Sequence, residues 1–100
     1  MATRSVYILV TLRAKAKQEK RLQKELRKVI RPSRREPGCV CYTVRRRRDD
    51  PRTFFVVEEW RSAADHERHL GTPHITGFLG RKREFLDFID IAQVDELDVK

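Results

Sequence analysis

Four side chains in this sequence combine a type and a position suited to moving protons near neutral pH: His66, His69, His74 and Glu58. Imidazole changes charge between about pH 5 and 8, which suits it to work as a general base. His69 and His74 flank Gly71-Thr72-Pro73, a break between two short helical patterns, and such a break makes a natural lip for a chamber. The plainer alternative is a histidine that caps a helix or bonds a backbone carbonyl. His66 lies three residues before His69 on the same helical side. No third ligand is near in sequence, so a surface role is expected and no metal site. Glu58 alternates with Val56 and Trp60 along one face of a strand. Burial of that face would raise the carboxyl above its usual range and suit it to act as a base. The alternative is an ion pair with Arg13 or Arg45. Tyr42, Trp60 and Phe78 offer ring surface, and Tyr42 a hydroxyl, to a planar aromatic ligand. Simple core or interface packing is the alternative for each.

The elements that must hold these residues follow from the apolar pattern. Val6 to Leu12 is β-branched and aromatic without Gly or Pro, and reads as a strand. Leu22, Leu26, Val29 and Ile30 form one stripe of a helix over Glu19 to Ile30, which Pro32 should kink or end. Cys39 to Arg46 and Phe54 to Trp60 form a hairpin across the Asp49-Asp50-Pro51 turn. In the first of these strands Val40, Tyr42 and Val44 are expected on one face and Cys41 and Thr43 on the other. Cys39 and Cys41, at i and i+2, should share a face, poorly placed for a mutual disulfide and too few for zinc. Ser62 caps a helix over Ala63 to Leu70 that ends at Gly71, with Asp65 in the first turn. Thr72-Pro73 starts the next helix, with Ile75, Phe78 and Leu79 as its apolar side. A last strand falls within Phe85 to Leu97, over Ile89 to Val94 or a little beyond. The order β-α-β-β-α-β predicts a ferredoxin-like α+β fold: an antiparallel sheet with helices on one face. Every strand is apolar on both faces, so the uncovered face calls for a second sheet. That predicts a two-fold homodimer with a closed chamber between sheets.

One hundred residues make one domain, 1–100, with its core over about 5–98. The net charge of +8 is uneven: Met1 to Arg52 carries 17 − 5 = +12 and Thr53 to Lys100 carries 6 − 10 = −4. Arg45-Arg46-Arg47-Arg48 is the densest run, but Asp49 and Asp50 follow it and no aromatics are interleaved. A solvated hairpin end, or a rim for an acidic metabolite, is expected rather than nucleic-acid binding. No stretch has the length of a membrane span, the N-terminus shows no signal-peptide pattern, and the two thiols suit a reducing compartment, so a cytoplasmic location is the expectation.

Glu36-Pro37-Gly38-Cys39-Val40-Cys41-Tyr42 resembles the Glu-x-Gly-Cys-x-x-Tyr signature of the antibiotic biosynthesis monooxygenase family. Asp50-Pro51, Phe54 and Glu58-Glu59-Trp60 resemble its third strand, and His69-Leu70-Gly71-Thr72-Pro73-His74 resembles its His-x-x-Thr-Pro-His stretch. The motifs come in the family's order and spacing, and the likeness runs from about Val6 to Leu97. It implies a dimeric α/β barrel. Several members oxidise quinols or anthrones with molecular oxygen and no cofactor; others isomerise small molecules. In the haem-degrading branch an Asn-Trp-His triad stands where this chain has Val10, His69 and Leu79, so haem degradation is not expected. The resemblance thus points to oxygenation of an electron-rich aromatic by O2, with His69, His74 and Glu58 as catalytic candidates. Tyr42, Trp60 and Phe78 are the candidates for holding the substrate. No cofactor or metal is expected. The alternative is a ligand-binding or isomerase member of the same fold.

Overall fold

The computed structural model describes residues 4–99. Its elements are β1 (Val6–Ala14), α1 (Glu19–Arg34), β2 (Cys39–Arg46), β3 (Thr53–Trp60), α2 (Ala63–Leu70), α3 (Pro73–Gly80), α4 (Lys82–Phe85) and β4 (Leu86–Val94). The strands form one antiparallel sheet in the order β2-β3-β1-β4. This is the expected ferredoxin-like arrangement, with the second crossover helix broken into three pieces. The short α4 was not foreseen, and β4 begins at Leu86, earlier than Ile89.

Strand alternation divides the sheet into two unlike faces. Ile8, Val10, Leu12 and Ala14 of β1 and Phe54, Val56, Glu58 and Trp60 of β3 point toward the helices and are buried. Leu22, Leu26 and Val29 of α1, Ile75 and Phe78 of α3, and Phe85 of α4 close over them. α1 runs past Pro32 to Arg34, within the further turn that the sequence allowed before Pro37-Gly38. Pro32 lies in the last turn, where its missing N–H costs one hydrogen bond and little regular helix remains to disrupt. The opposite face is open. There Leu9 pairs with Val57 and Ala92, Tyr7 with Val94, and Arg13 with Phe88. Leu9, Val57, Phe88 and Val94 are all exposed.

β2 departs from simple alternation. Cys39 pairs with Trp60 and Cys41 with Glu59, so two steps along β2 match one step along β3. Such a bulge reverses the facing of what precedes it. Cys39 therefore shares the helix side with Tyr42, Cys41 faces the other way, and Val40 is 51% exposed instead of lying beside Tyr42 and Val44. The two thiols are free and, contrary to expectation, on opposite faces.

Candidate active site

The site begins in the connection between α1 and β2. Gly38 takes φ +84°, a left-handed conformation open to glycine. A side chain there would overlap the Asp65 carboxyl, which Ser62 Oγ holds at 3.0 Å and Arg68 at 2.8 Å. This close turn lays the connection against the start of α2, and Gly38 C=O accepts the Arg61 N–H at 2.8 Å. Glu36, two residues earlier, is thereby directed inward.

His69 stands in the last turn of α2 and His74 in the first turn of α3. Thr72 occupies the N-cap position of α3 as expected, but its hydroxyl reaches back to donate to His69 C=O at 2.7 Å, which fixes the bend between the helices. Both imidazoles converge on one oxygen: His69 Nδ1 lies 2.7 Å and His74 Nε2 2.8 Å from Glu36 Oε2. An imidazole N–H donates to the carboxylate in each case. His69 is 2% exposed. With its Nδ1 proton given to Glu36, its Nε2 is free to accept. That nitrogen lies 3.9 Å from Glu58 Oε1.

Glu58 is buried on the helix side of β3 and takes the Trp60 indole N–H at 2.8 Å. The alternative of an ion pair with Arg13 or Arg45 fails because the strand register puts both arginines on the opposite sheet face. Burial pushes the Glu58 carboxyl up to about 7; the Trp60 hydrogen bond opposes this, and the nearby Glu36 adds to it. Burial also lowers the pKa of His69, against the raising influence of Glu36.

These groups border a cleft between sheet and helices, lined by Tyr42, Glu58, His66 and His69 on its polar side and by apolar residues including Val56, Ile75 and Phe78. It contains about 430 Å³ of unfilled space out to its mouth, and Ile91 is 42% exposed in the lining. The cleft is inside one chain, on the helix-covered face, whereas the expected chamber lay between two sheets.

The sequence-derived candidates thus separate. Tyr42, Glu58, His69 and Phe78 line the cleft. Trp60 is fully buried behind it, its ring centroid 4.6 Å from that of His69, and supports both His69 and Glu58 without reaching the space. His74 reaches the site through Glu36. His66 is not the surface residue expected: its Nε2 is buried in the lining and has no hydrogen-bond partner among the described residues. Glu36 was missed as a site residue, although it opens the Glu-Pro-Gly turn; its partners are 33 and 38 residues away, beyond any local pattern. Arg45 to Arg48 lie exposed at the hairpin end, with Arg47 paired to Asp49 at 2.6 Å and Arg46 bonded to Gln23 at 3.3 Å.

Residues 5–81 match the family described as antibiotic biosynthesis monooxygenase. The chain is 31% identical to PA3566 from Pseudomonas aeruginosa, with a TM-score of 0.92 over 98% of this chain and 99% of that one. Rv0793 from Mycobacterium tuberculosis is 23% identical, with a TM-score of 0.86 over 94% and 96% of the two chains. A crystal structure of an antibiotic biosynthesis monooxygenase is 20% identical, with a TM-score of 0.85 over 93% and 99%. The last two show the shared fold. An uncharacterized protein, sll1783, from Synechocystis is 33% identical over 57 residues, a segment that spans 57% of this chain and 39% of that relative.

Proposed function

Because the chain belongs to the antibiotic biosynthesis monooxygenase family, we propose that it oxidises a quinol, anthrone or related electron-rich aromatic with O2, using no cofactor. The observation that carries this reading is the Glu36–His69 pair, with the far nitrogen of the buried His69 turned to Glu58 at the edge of an apolar cleft. In this reading His69 Nε2 takes the phenolic proton, or the enolic proton of an anthrone. Glu36 holds the Nδ1 proton and so fixes the accepting tautomer. Glu58 shares the proton received, Tyr42 and His66 present polar atoms to the substrate oxygens, and Phe78 packs on its ring. Trp60 and His74 are positioning residues for Glu58 and Glu36.

The resulting anion is rich enough in electrons to reduce O2 by one electron, and the two radicals combine at carbon to give a peroxide anion, which takes back the proton held at His69 to become a hydroperoxide. For an anthrone, loss of water from the carbon bearing one remaining hydrogen leaves a carbonyl. One oxygen atom of O2 enters the product and the other leaves as water; the substrate supplies every electron. The apolar walls strengthen the electrostatic interactions of the anion with the site.

Oxygen uptake by metal-stripped protein over a panel of hydroquinones and an anthrone tests the reading. Uptake well above spontaneous oxidation is expected, with His69→Ala slowed by about 100-fold or more, the scale of general-base catalysis. Uptake no faster than the spontaneous rate across the panel would overturn it and favour an isomerase or a ligand-binding member. The same reading includes a homodimer closed through the open sheet face, and a cytoplasmic setting in which both thiols stay reduced. No helix among the described residues is long and apolar enough to cross a membrane.

A further inference from the structure

The carboxylate at the centre of the site is unusually placed for so basic a chain. Glu25, buried in α1, is met by three cations: Arg81 at 2.7 Å and Arg21 and Lys28 at 3.3 Å. Glu36 has a side chain only 10% exposed, yet no lysine or arginine lies within ion-pair distance among the described residues; its partners are the two imidazoles. Glu36, His69 and His74 each present one ligand atom, and the three lie within 4.8 Å of one another. Metal–nitrogen and metal–oxygen bonds of about 2.0–2.2 Å place ligand atoms on the order of 3 Å apart. The observed 2.7 and 2.8 Å to Glu36 need to open only slightly, and the two imidazole nitrogens, within 4.8 Å of each other, to settle at the same spacing.

We propose that Glu36, His69 and His74 form a binding site for a late first-row divalent cation, of which Zn2+ and Co2+ are the working probes. Two imidazoles and one carboxylate suit such ions and are a poor match for Mg2+ or Ca2+, which take all-oxygen shells. The surroundings are those of a metal-bound histidine. His69 would bind through Nδ1; its Nε2 lies 3.9 Å from Glu58 Oε1, so a small approach of that carboxylate would let it accept the ring N–H and orient the ligand. His74, with a side chain 20% exposed, leaves an approach from solvent, and the remaining coordination positions fall to water. A cation at Nδ1 obliges the His69 proton to sit on Nε2. The nitrogen turned toward the cleft then donates instead of accepting, so the bound metal blocks His69 as a base. This consequence rests on the oxygenase reading; the binding site does not.

Titration of the metal-stripped full chain with Co2+, followed by visible ligand-field absorption, tests the site without any substrate. One equivalent should develop the band and Zn2+ should bleach it. His74→Ala and Glu36→Gln should each weaken binding by about tenfold or more, with circular dichroism unchanged, while His66→Ala and Cys39→Ser leave it intact. Absence of a saturable band would overturn the proposal. So would a band indifferent to both His74→Ala and Glu36→Gln, or one lost with His66→Ala or Cys39→Ser. Oxygen uptake in metal-free protein is a separate measurement, so either reading can fail alone.

Discussion

At the scale of single residues, the site depends on a few atoms whose replacement has a definite sign. Trp60 donates to Glu58, and that bond holds the Glu58 carboxyl lower than burial alone would set it. Trp60→Phe keeps most of the ring and removes the donor. The Glu58 carboxyl should then rise further, and the pH profile of oxygen uptake should move to higher pH while KM changes little; an unmoved profile would separate Glu58 from the chemistry. Gly38 is sensitive for two reasons, its left-handed φ of +84° and the Asp65 side chain in the way of any Cβ. Gly38→Ala should cost about 3 kcal/mol in urea unfolding, combining backbone strain with overpacking. A loss under about 1 kcal/mol would mean that the turn relaxes freely. His69, His74 and Glu58 could be picked out by residue type and by their places at a helix break and on a strand. Glu36 could not, because a glutamate in a turn has no periodicity to mark it. His66 was misjudged for a related reason: helical spacing places it beside His69, but only the tertiary packing decides that this side faces the cleft.

At the scale of elements, α1 is tied to the α3–α4 region by charge as well as by its apolar stripe. Glu25 bonds Arg81, just beyond α3, and Arg21 reaches Glu84 of α4 at 2.9 Å. The Arg81 hydrogen bond is the main cause that brings the Glu25 carboxyl down to about 2, against the opposing effect of burial. A carboxyl with a depressed folded-state pKa adds stability that is complete above its ordinary pKa and is lost as pH falls through the folded one. Glu25 thus contributes fully above about pH 4.5 and progressively less toward pH 2. Glu25→Gln should lower stability at neutral pH by about 2–3 kcal/mol, the cost of breaking a buried ionic cluster. It should also flatten the loss between pH 4.5 and 2 in acid unfolding. An acid limb unchanged in the variant would assign that loss to other carboxylates. The stripe Leu22, Leu26, Val29 made α1 legible from sequence, whereas this cluster was not, since Arg81 lies 56 residues from Glu25. The β2 bulge was hidden likewise: Cys39, Val40 and Cys41 read as a regular strand, and only pairing with β3 reveals the extra residue.

At the scale of the whole molecule, the order β2-β3-β1-β4 explains both what the sequence displayed and what it concealed. Apolar residues at both phases of β1 and β3 showed that two faces of the sheet are fit for burial, and one of them is covered within the chain. Phe88, 52% exposed, lies on the other, the face through which the proposed dimer would close. Phe88→Asp would put a charge there and should yield a monomeric mass in solution scattering where the parent chain gives a dimer. A parent chain that is monomeric at micromolar concentration would remove the dimer from the reading. The same order seats the first and last strands side by side: Tyr7 pairs with Val94, so the two ends of the sheet-forming chain finish next to each other. The molecule is nearly circular in its connectivity. A short linker from the end of β4 to the start of β1 would allow new termini to be opened at the exposed Arg47–Arg48 turn, leaving every strand pair and the Glu36 cluster in place.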